Sequence, residues 1–250
     1  MLSDVDGSPS RVADGPHAGA TLRDLLVADP VAVLGSAKPV NGRFPLLLKF
    51  IDARQELSVQ VHPDDSRAAA AVPGAVGKTE ARYVVEANPA TSRIYAGFRP
   101  GVTAADFRTA LAAKTTPKTL HSYTPNPGDC VFLEAGTVHA IGADILMFEV
   151  QQTCDITYRL YDWDRVDAKT KKPRELHVEH GLACADFARG PCPPVTPARH
   201  GPRERLVGCP YFTFDRHLGD DPFRVGTPGA CQAVVCVGGG GELACGGERL

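Results

Sequence analysis

The sequence predicts a mainly-β fold of the barrel or jelly-roll type, and three observations carry that expectation. Strand-like apolar runs recur along the chain, and residues 57–61 alternate apolar and polar side chains with the period of two of a strand with one buried face. Helical patterns are few and short. Turn-forming residues separate the runs at short intervals, which suits an architecture of many short strands.

Taken in order, residues 21–28 predict a short helix that stops before Pro30. Residues 46–51 and 57–61 follow as strands. His62-Pro63-Asp64-Asp65 then breaks the pattern, and either aspartate can cap a short helix running to Ala71. Residues 81–86 and 93–98 look like a strand pair joined by Ala87-Asn88-Pro89-Ala90. Residues 103–113 make a stronger helix, with Thr103 as N-cap, Asp106 in the capping-box position, and Phe107 and Leu111 on one face.

Strands resume at 129–133, 145–151 and 156–160. Proline and glycine crowd residues 189–202, which reads as a linker. Two short β-like runs follow it, 211–214 and 232–237. The expected organisation is therefore a β-domain over 1–188, the linker 189–202, and an incomplete second β-domain over 203–250. The glycine run 238–241 lacks the Lys-Ser/Thr of a phosphate loop and precedes no helical pattern, so it reads as a turn.

Composition narrows the function classes. Hydrophobic content of 43% and charged content of 22% are those of an ordinary globular protein. A formal net charge of −2 gives no basic excess, so nucleic acid is not the expected partner. No apolar run reaches the length of a membrane span, and the first residues lack the basic and apolar regions of a secretory signal. The eight cysteines contain no Cys-x-x-Cys pair and read as reduced thiols of a cytoplasmic protein.

Four stretches carry chemistry. Ser58, Gln60 and His62 share one face of a strand, where they either face water or meet a metal or polar ligand. Lys78 and Glu80 stand two apart at the start of the next strand. His139 follows a glycine turn at Gly136. Glu149 and Arg159 lie on consecutive strands. Two imidazoles with a carboxylate and an amide oxygen form a donor set that zinc accepts.

These residues sit in motifs that resemble the class I mannose-6-phosphate isomerases, particularly their short bacterial form. The matching stretches are 49–53, 57–65, 77–80, 135–141 and 157–165, in the family's order, within a likeness running from about residue 6 to 185. Residues 128–139 also resemble the second cupin motif, with Glu134 where cupins usually have proline. The resemblance implies a cupin-type jelly-roll barrel with a few short helices, and isomerisation of mannose 6-phosphate to fructose 6-phosphate through an enediol. It implies one Zn²⁺ per chain held by Gln60, His62, Glu80 and His139. Arg159 matches the active-site arginine, and Lys49, Ser58, Lys78, Glu149 and Arg165 match positions lining the substrate pocket. A nearby cation disfavours a charged amine, the condition under which Lys78 works as a base. Glu149 is the other candidate, and sequence leaves the choice open.

The expected partner is a small sugar phosphate, bound by a monomer or weak dimer. Two alternatives stand beside this reading: another metal-dependent cupin enzyme such as an oxygenase, and a sugar-phosphate-binding domain without turnover. Relatives usually carry further strands and an acidic, tryptophan-containing stretch before residue 3, and continue beyond residue 242. Either a fragment or a naturally shortened form, with uncovered sheet edges, is the expectation from that difference. His177 and His180 could pair on a helix, but they read as surface residues, as do His121, His200 and His217. Tyr161 and Trp163 read as packing groups.

Overall fold

The computed structural model describes residues 1–166, 170–245, 248 and 249. Nine strands build two sheets: β1 (Leu46–Ala53), β2 (Val59–Val61), β3 (Glu80–Ala87), β4 (Ile94–Phe98), β5 (Leu120–Tyr123), β6 (Cys130–Leu133), β7 (His139–Ile141), β8 (Ile145–Gln152) and β9 (Tyr158–Tyr161). The order β1-β8-β3-β6 forms one sheet and β5-β4-β7-β2-β9 the other, every pairing antiparallel. The sheets face each other without closing, and the expected mainly-β jelly roll is what the chain adopts.

Strand alternation fixes what fills the space between them. On β1, β3 and β8 the inward rows run Lys49-Ile51-Ala53, Glu80-Arg82-Val84 and Ile145-Met147-Glu149-Gln151. At one end, Ala53, Val84, Val131, Leu133, Ile145 and Met147 of the first sheet meet Ile94, Ala96 and Ile141 of the second in a buried apolar plug. At the other end the same rows turn polar.

Five helices dress this frame: α1 (Leu22–Ala28), α2 (Pro30–Leu34), α3 (Asp65–Ala71), α4 (Ala104–Ala112) and α5 (Val178–Cys184). The capping box of Thr103 and Asp106 is formed, and Asp64 caps α3 through the Arg67 N–H at 2.8 Å. The outer face of the five-stranded sheet buries Val59, Val61, Leu120, Val138, Ala140 and Leu160 against Phe107 of α4 and Cys184 of α5. Gly181 brings α5 close: a Cβ there would stand 2.5 Å from Leu160 Cδ2.

The outer face of the four-stranded sheet is covered by a third sheet, β10 (Ala198–His200), β11 (Arg203–Gly208) and β12 (Thr213–His217), and by the N-terminal segment. Leu206, Val207 and Phe212 join Leu26, Leu34, Phe44, Leu48, Phe148 and Val150 in one buried cluster. Residues of the proline- and glycine-rich stretch are tied to the frame, since the Cys192 and Val195 N–H groups donate to Ala96 O and Cys130 O at 3.1 and 2.8 Å. Among the described residues no helix is long and apolar enough to cross a membrane.

Three local expectations are corrected. The segments 81–86 and 93–98 are not a hairpin, because β3 and β4 lie in opposite sheets. The turn residues between them instead carry the chain across: Ser92 Oγ donates to Asp144 O at 2.8 Å and Asn88 N–H to the same oxygen at 3.3 Å. Residues 232–237 form no strand; their valines have no partner ladder among the described residues, although Cys231 and Val237 still pack on the outer cluster. The last strand of the five-stranded sheet begins at Tyr158 rather than 156, since the Ile156 carbonyl is taken by His62.

Candidate metal and substrate site

Short strands of the five-stranded sheet deliver the imidazoles. Gln60 on β2 pairs with His139 on β7 and with Arg159 on β9, so three candidate site residues share one row across three strands. His62 follows β2 by one residue. Glu80 arrives from the facing sheet, and the ligand atoms of His62, Glu80 and His139 all lie within 4.8 Å of one another. All three are buried, at 2%, 0% and 1% exposure.

The backbone sets the tautomers. His62 Nδ1–H donates to Ile156 O at 3.0 Å and His139 Nδ1–H to Thr137 O at 2.9 Å, because a carbonyl can only accept. The other ring nitrogen of each, Nε2, faces Glu80, at 3.6 Å for His62 and 3.2 Å for His139. Burial, followed by the Lys78 ammonium, holds His62 well below the usual imidazole value of 6.5 and keeps it neutral. Lys78 Nζ donates to His62 Nε2 at 3.2 Å and to Glu80 Oε2 at 2.7 Å, and the Gln60 amide donates to His139 Nε2 at 3.3 Å.

Across the four-stranded sheet, register places Lys49, Glu149 and Arg82 in one line on β1, β8 and β3, with Glu80 and Gln151 paired beside it. Lys49 Nζ lies 2.8 Å from Glu149 Oε1 and 3.0 Å from Gln151 Oε1. Arg82 Nε bonds Glu149 Oε2, and its Nη2 lies 2.9 Å from Glu80 Oε1. Burial alone would raise Glu80, but Arg82 and Lys78 outweigh it and hold the carboxyl well below its ordinary 4.5. Glu149 is lowered from the same value against its burial, chiefly by Arg82. Both are carboxylates at neutral pH.

Gly77 makes the meeting of the two sheets possible. A Cβ there would stand 2.7 Å from Asp64 C and Asp65 N, so the chain entering β3 crosses the chain leaving β2 backbone to backbone. Lys78 N–H donates to Pro63 O at 3.0 Å, and Gly77 N–H to Asp65 Oδ1 at 2.7 Å.

Gln60 and Lys78, together with Ser58, wall a cavity of about 450 Å³ in front of this group. Five cationic side chains line it, Lys49, Lys78, Arg82, Arg159 and Arg174, with Asp155 on the same wall; Lys49, Lys78 and Arg82 are paired with Glu149 and Glu80, and Arg174 with Asp162. Arg159 Nη1 donates to Glu175 O at 2.9 Å, while its buried Nε has no hydrogen-bond partner. Burial and then the neighbouring Arg174 pull the Arg159 guanidinium below its ordinary value, a sign of crowded positive charge. A second cavity, of about 480 Å³, is lined by Asp64, Arg67, Glu134, Asp186, Arg189 and Tyr211. Its charges are consumed in pairs: Arg67 with Asp64, Arg189 with Glu134 and Asp186, and Tyr211 with Asp65.

The donor set fits a divalent cation. Two lone-pair nitrogens and a carboxylate converge, and Glu80 Oε1 is a buried atom without a hydrogen-bond partner despite its charged neighbours.

A family model described as phosphomannose isomerase type I, catalytic domain, matches residues 6–90. Mannose-6-phosphate isomerase ManA of Bacillus subtilis (strain 168) is 38% identical over 183 residues, covering 70% of this chain and 55% of that protein. The mannose-6-phosphate isomerase of Streptococcus mutans serotype c is 38% identical over 173 residues, covering 69% and 52%. The crystal structure of the mannose 6-phosphate isomerase from Bacillus subtilis matches with a TM-score of 0.76 at 30% identity, over 86% of this chain and 67% of that one. The chain belongs to the type I phosphomannose isomerase family. It spans about half the length of the curated relatives it matches. A phosphomannose isomerase variant from Salmonella typhimurium, at 18% identity and a TM-score of 0.65, shares the fold.

Of the residues assigned from sequence, the structure brings Gln60, His62, Glu80, His139, Lys78, Glu149 and Lys49 into one network. Ser58 and Arg159 stand on the cavity wall, and Ser58 Oγ donates to Gln60 Oε1 at 3.3 Å. Arg165 is not brought there: its guanidinium is spent on Glu56 O, Asp162 O and Asp162 Oδ1. Arg174, which sequence reading passed over, takes the place on the wall. Arg82 was missed as well, although it continues the Lys78, Glu80 alternation by one more step. His177 and His180 make no metal pair; His177 accepts the Arg159 N–H at 3.3 Å and His180 stacks on Tyr158.

Proposed function

We propose that this chain interconverts D-mannose 6-phosphate and D-fructose 6-phosphate, with one Zn²⁺ held by His62, Glu80 and His139 and completed by Gln60. The observation that carries this reading is the junction of a His/Glu/His group with a cavity lined by five cationic side chains, in a chain of this family. A bound zinc ion supplies Lewis acidity to the sugar oxygens.

The chain's own residues do the rest. The cationic wall attracts a phosphate, and Arg159 offers its unpartnered Nε–H beside Arg174 as a planar fork for the phosphoryl oxygens or a developing enediolate. Between the two candidates for moving the proton between C1 and C2, geometry favours Lys78, which lines the cavity, over Glu149, which stands behind it at 4.0 Å from Lys78 Nζ. Glu149 then acts as the anion that holds Lys49 and Arg82 in place. Ser58 and Lys49 face the sugar, and a small-molecule substrate is the only partner the site requires.

The test is a coupled assay for fructose 6-phosphate on the purified, zinc-loaded chain. Turnover is expected, and His62→Ala should reduce it to below about 1% by removing a metal ligand. A folded, zinc-loaded wild type without turnover would sink the isomerase reading, and binding of mannose 6-phosphate by that sample would leave a binding domain in its place.

A further inference from the structure

We propose that Arg82 is a positioning residue that clamps the candidate metal ligand Glu80 to Glu149, so that the metal centre and the lysine-holding carboxylate move as one unit. The inference rests on the zinc-isomerase reading and goes beyond it, because it assigns a role to a residue outside the ligand set and outside the acid–base choice.

The geometry is specific. Arg82 is 2% exposed, and both of its carboxylate partners are at 0%. Its Nε serves Glu149 Oε2 and its Nη2 lies 2.9 Å from Glu80 Oε1. The remaining oxygens go to lysines: Glu80 Oε2 to Lys78 at 2.7 Å and Glu149 Oε1 to Lys49 at 2.8 Å. Each carboxylate therefore keeps one oxygen in contact with Arg82, by a hydrogen bond for Glu149 and by an ion pair alone for Glu80, and one beside a flexible ammonium. A guanidinium presents its charge and donors in a fixed plane, so Arg82 can hold Glu149 by a hydrogen bond and Glu80 by its charge at the same time. Sheet register enforces the arrangement, since Arg82 faces Glu149 across β3 and β8 and follows Glu80 by two residues on the same face.

A clamp and a mere neighbouring charge predict opposite signs. Removing a positive charge beside a cation site should tighten metal binding by reducing repulsion. Removing a support that orients a ligand should loosen it, by roughly tenfold or more.

The experiment is calorimetric titration of the full metal-free chain with zinc ion, with the visible absorption of the cobalt-loaded protein as a second readout. Arg82→Met removes the donors at similar length, and Arg82→Lys keeps the charge without the fork. Both variants should raise the zinc Kd by roughly tenfold and shift the cobalt bands, with Arg82→Met the larger. An Arg82→Met protein that binds zinc as tightly as wild type, or more tightly, with the same cobalt spectrum overturns the clamp, even if its melting temperature falls. If Arg82→Met does not fold, Arg82→Lys decides: an unchanged Kd overturns the proposal. A wild type that binds neither ion removes the clamp together with the isomerase reading, whereas wild-type binding matched by both variants removes the clamp alone.

Discussion

The two ends of the space between the sheets are built on the same strands and filled in opposite ways. On β8, Ile145 and Met147 enter the apolar plug, and two and four residues later Glu149 and Gln151 enter the polar network. On β3, Val84 belongs to the plug while Arg82 and Glu80 do not. The plug needs only shape, and it locks the sheets at one end. The polar end needs every charge answered, and its answers come from both sheets. The difference teaches that the frame is stabilised where no chemistry is possible, leaving the other end free to carry a costly array of buried charge.

Three measurements sharpen that contrast. The largest effect is expected from Met147→Ala in the plug, which should cost about 2–5 kcal/mol in urea unfolding by leaving a cavity. Zinc affinity of the folded variant should stay within about twofold, since Met147 is paired with Ile51 and Val84 and with none of the candidate metal ligands. A large loss of affinity would show that the two ends are not separable.

Acid should act on the polar end and not on the plug, which holds no titrating group. His62, Glu80 and Glu149 all lie below their ordinary values in the folded chain. The unfolded chain therefore takes up protons on these groups at higher pH than the native state does. Stability is whole above about pH 6.5, declines as unfolded His62 protonates, and declines further as pH falls through about 4.5 toward the depressed carboxylate values. Urea midpoints of the metal-free chain across that range should fall steadily, and a flat profile would contradict a charged, buried network.

The smallest effect is expected at the second cavity. Arg189 is 28% exposed in its pairs with Glu134 and Asp186, so Arg189→Ala should cost at most about 1 kcal/mol and leave zinc binding unchanged. A loss of metal affinity there would mean that the two cavities communicate.

Much of this was legible in the sequence, for identifiable reasons. Alternation at 57–61 put Gln60 and His62 on one face, and the capping box at Thr103 was local enough to read directly. The strands β5, β7, β10 and β11 escaped because runs such as His139-Ala140-Ile141 are too short to show a period and are held by their neighbours. The connection 87–90 reads as a hairpin because turn residues report that the chain bends, and say nothing about which sheet receives it. Arg82 was passed over because a charged residue two places from an ion pair looks like a solvated face until cross-strand register shows it buried. Arg165 carried the right motif, but the chain leaves β9 before it, and Asp162 captures the guanidinium.

The crossing at Gly77 has a consequence for how this sequence can drift. The atoms a methyl group would strike are backbone atoms of Asp64 and Asp65, which have no rotamer in which to step aside. Any other residue must therefore prise the two segments apart, and with them His62 and Lys78, whose rings and amine meet at 3.2 Å only because of that crossing. Position 77 has no side chain that could bind or react, yet it acts as a spacer gauge for the site: a mutational map of zinc binding should show it as intolerant as the candidate ligands His62, Glu80 and His139.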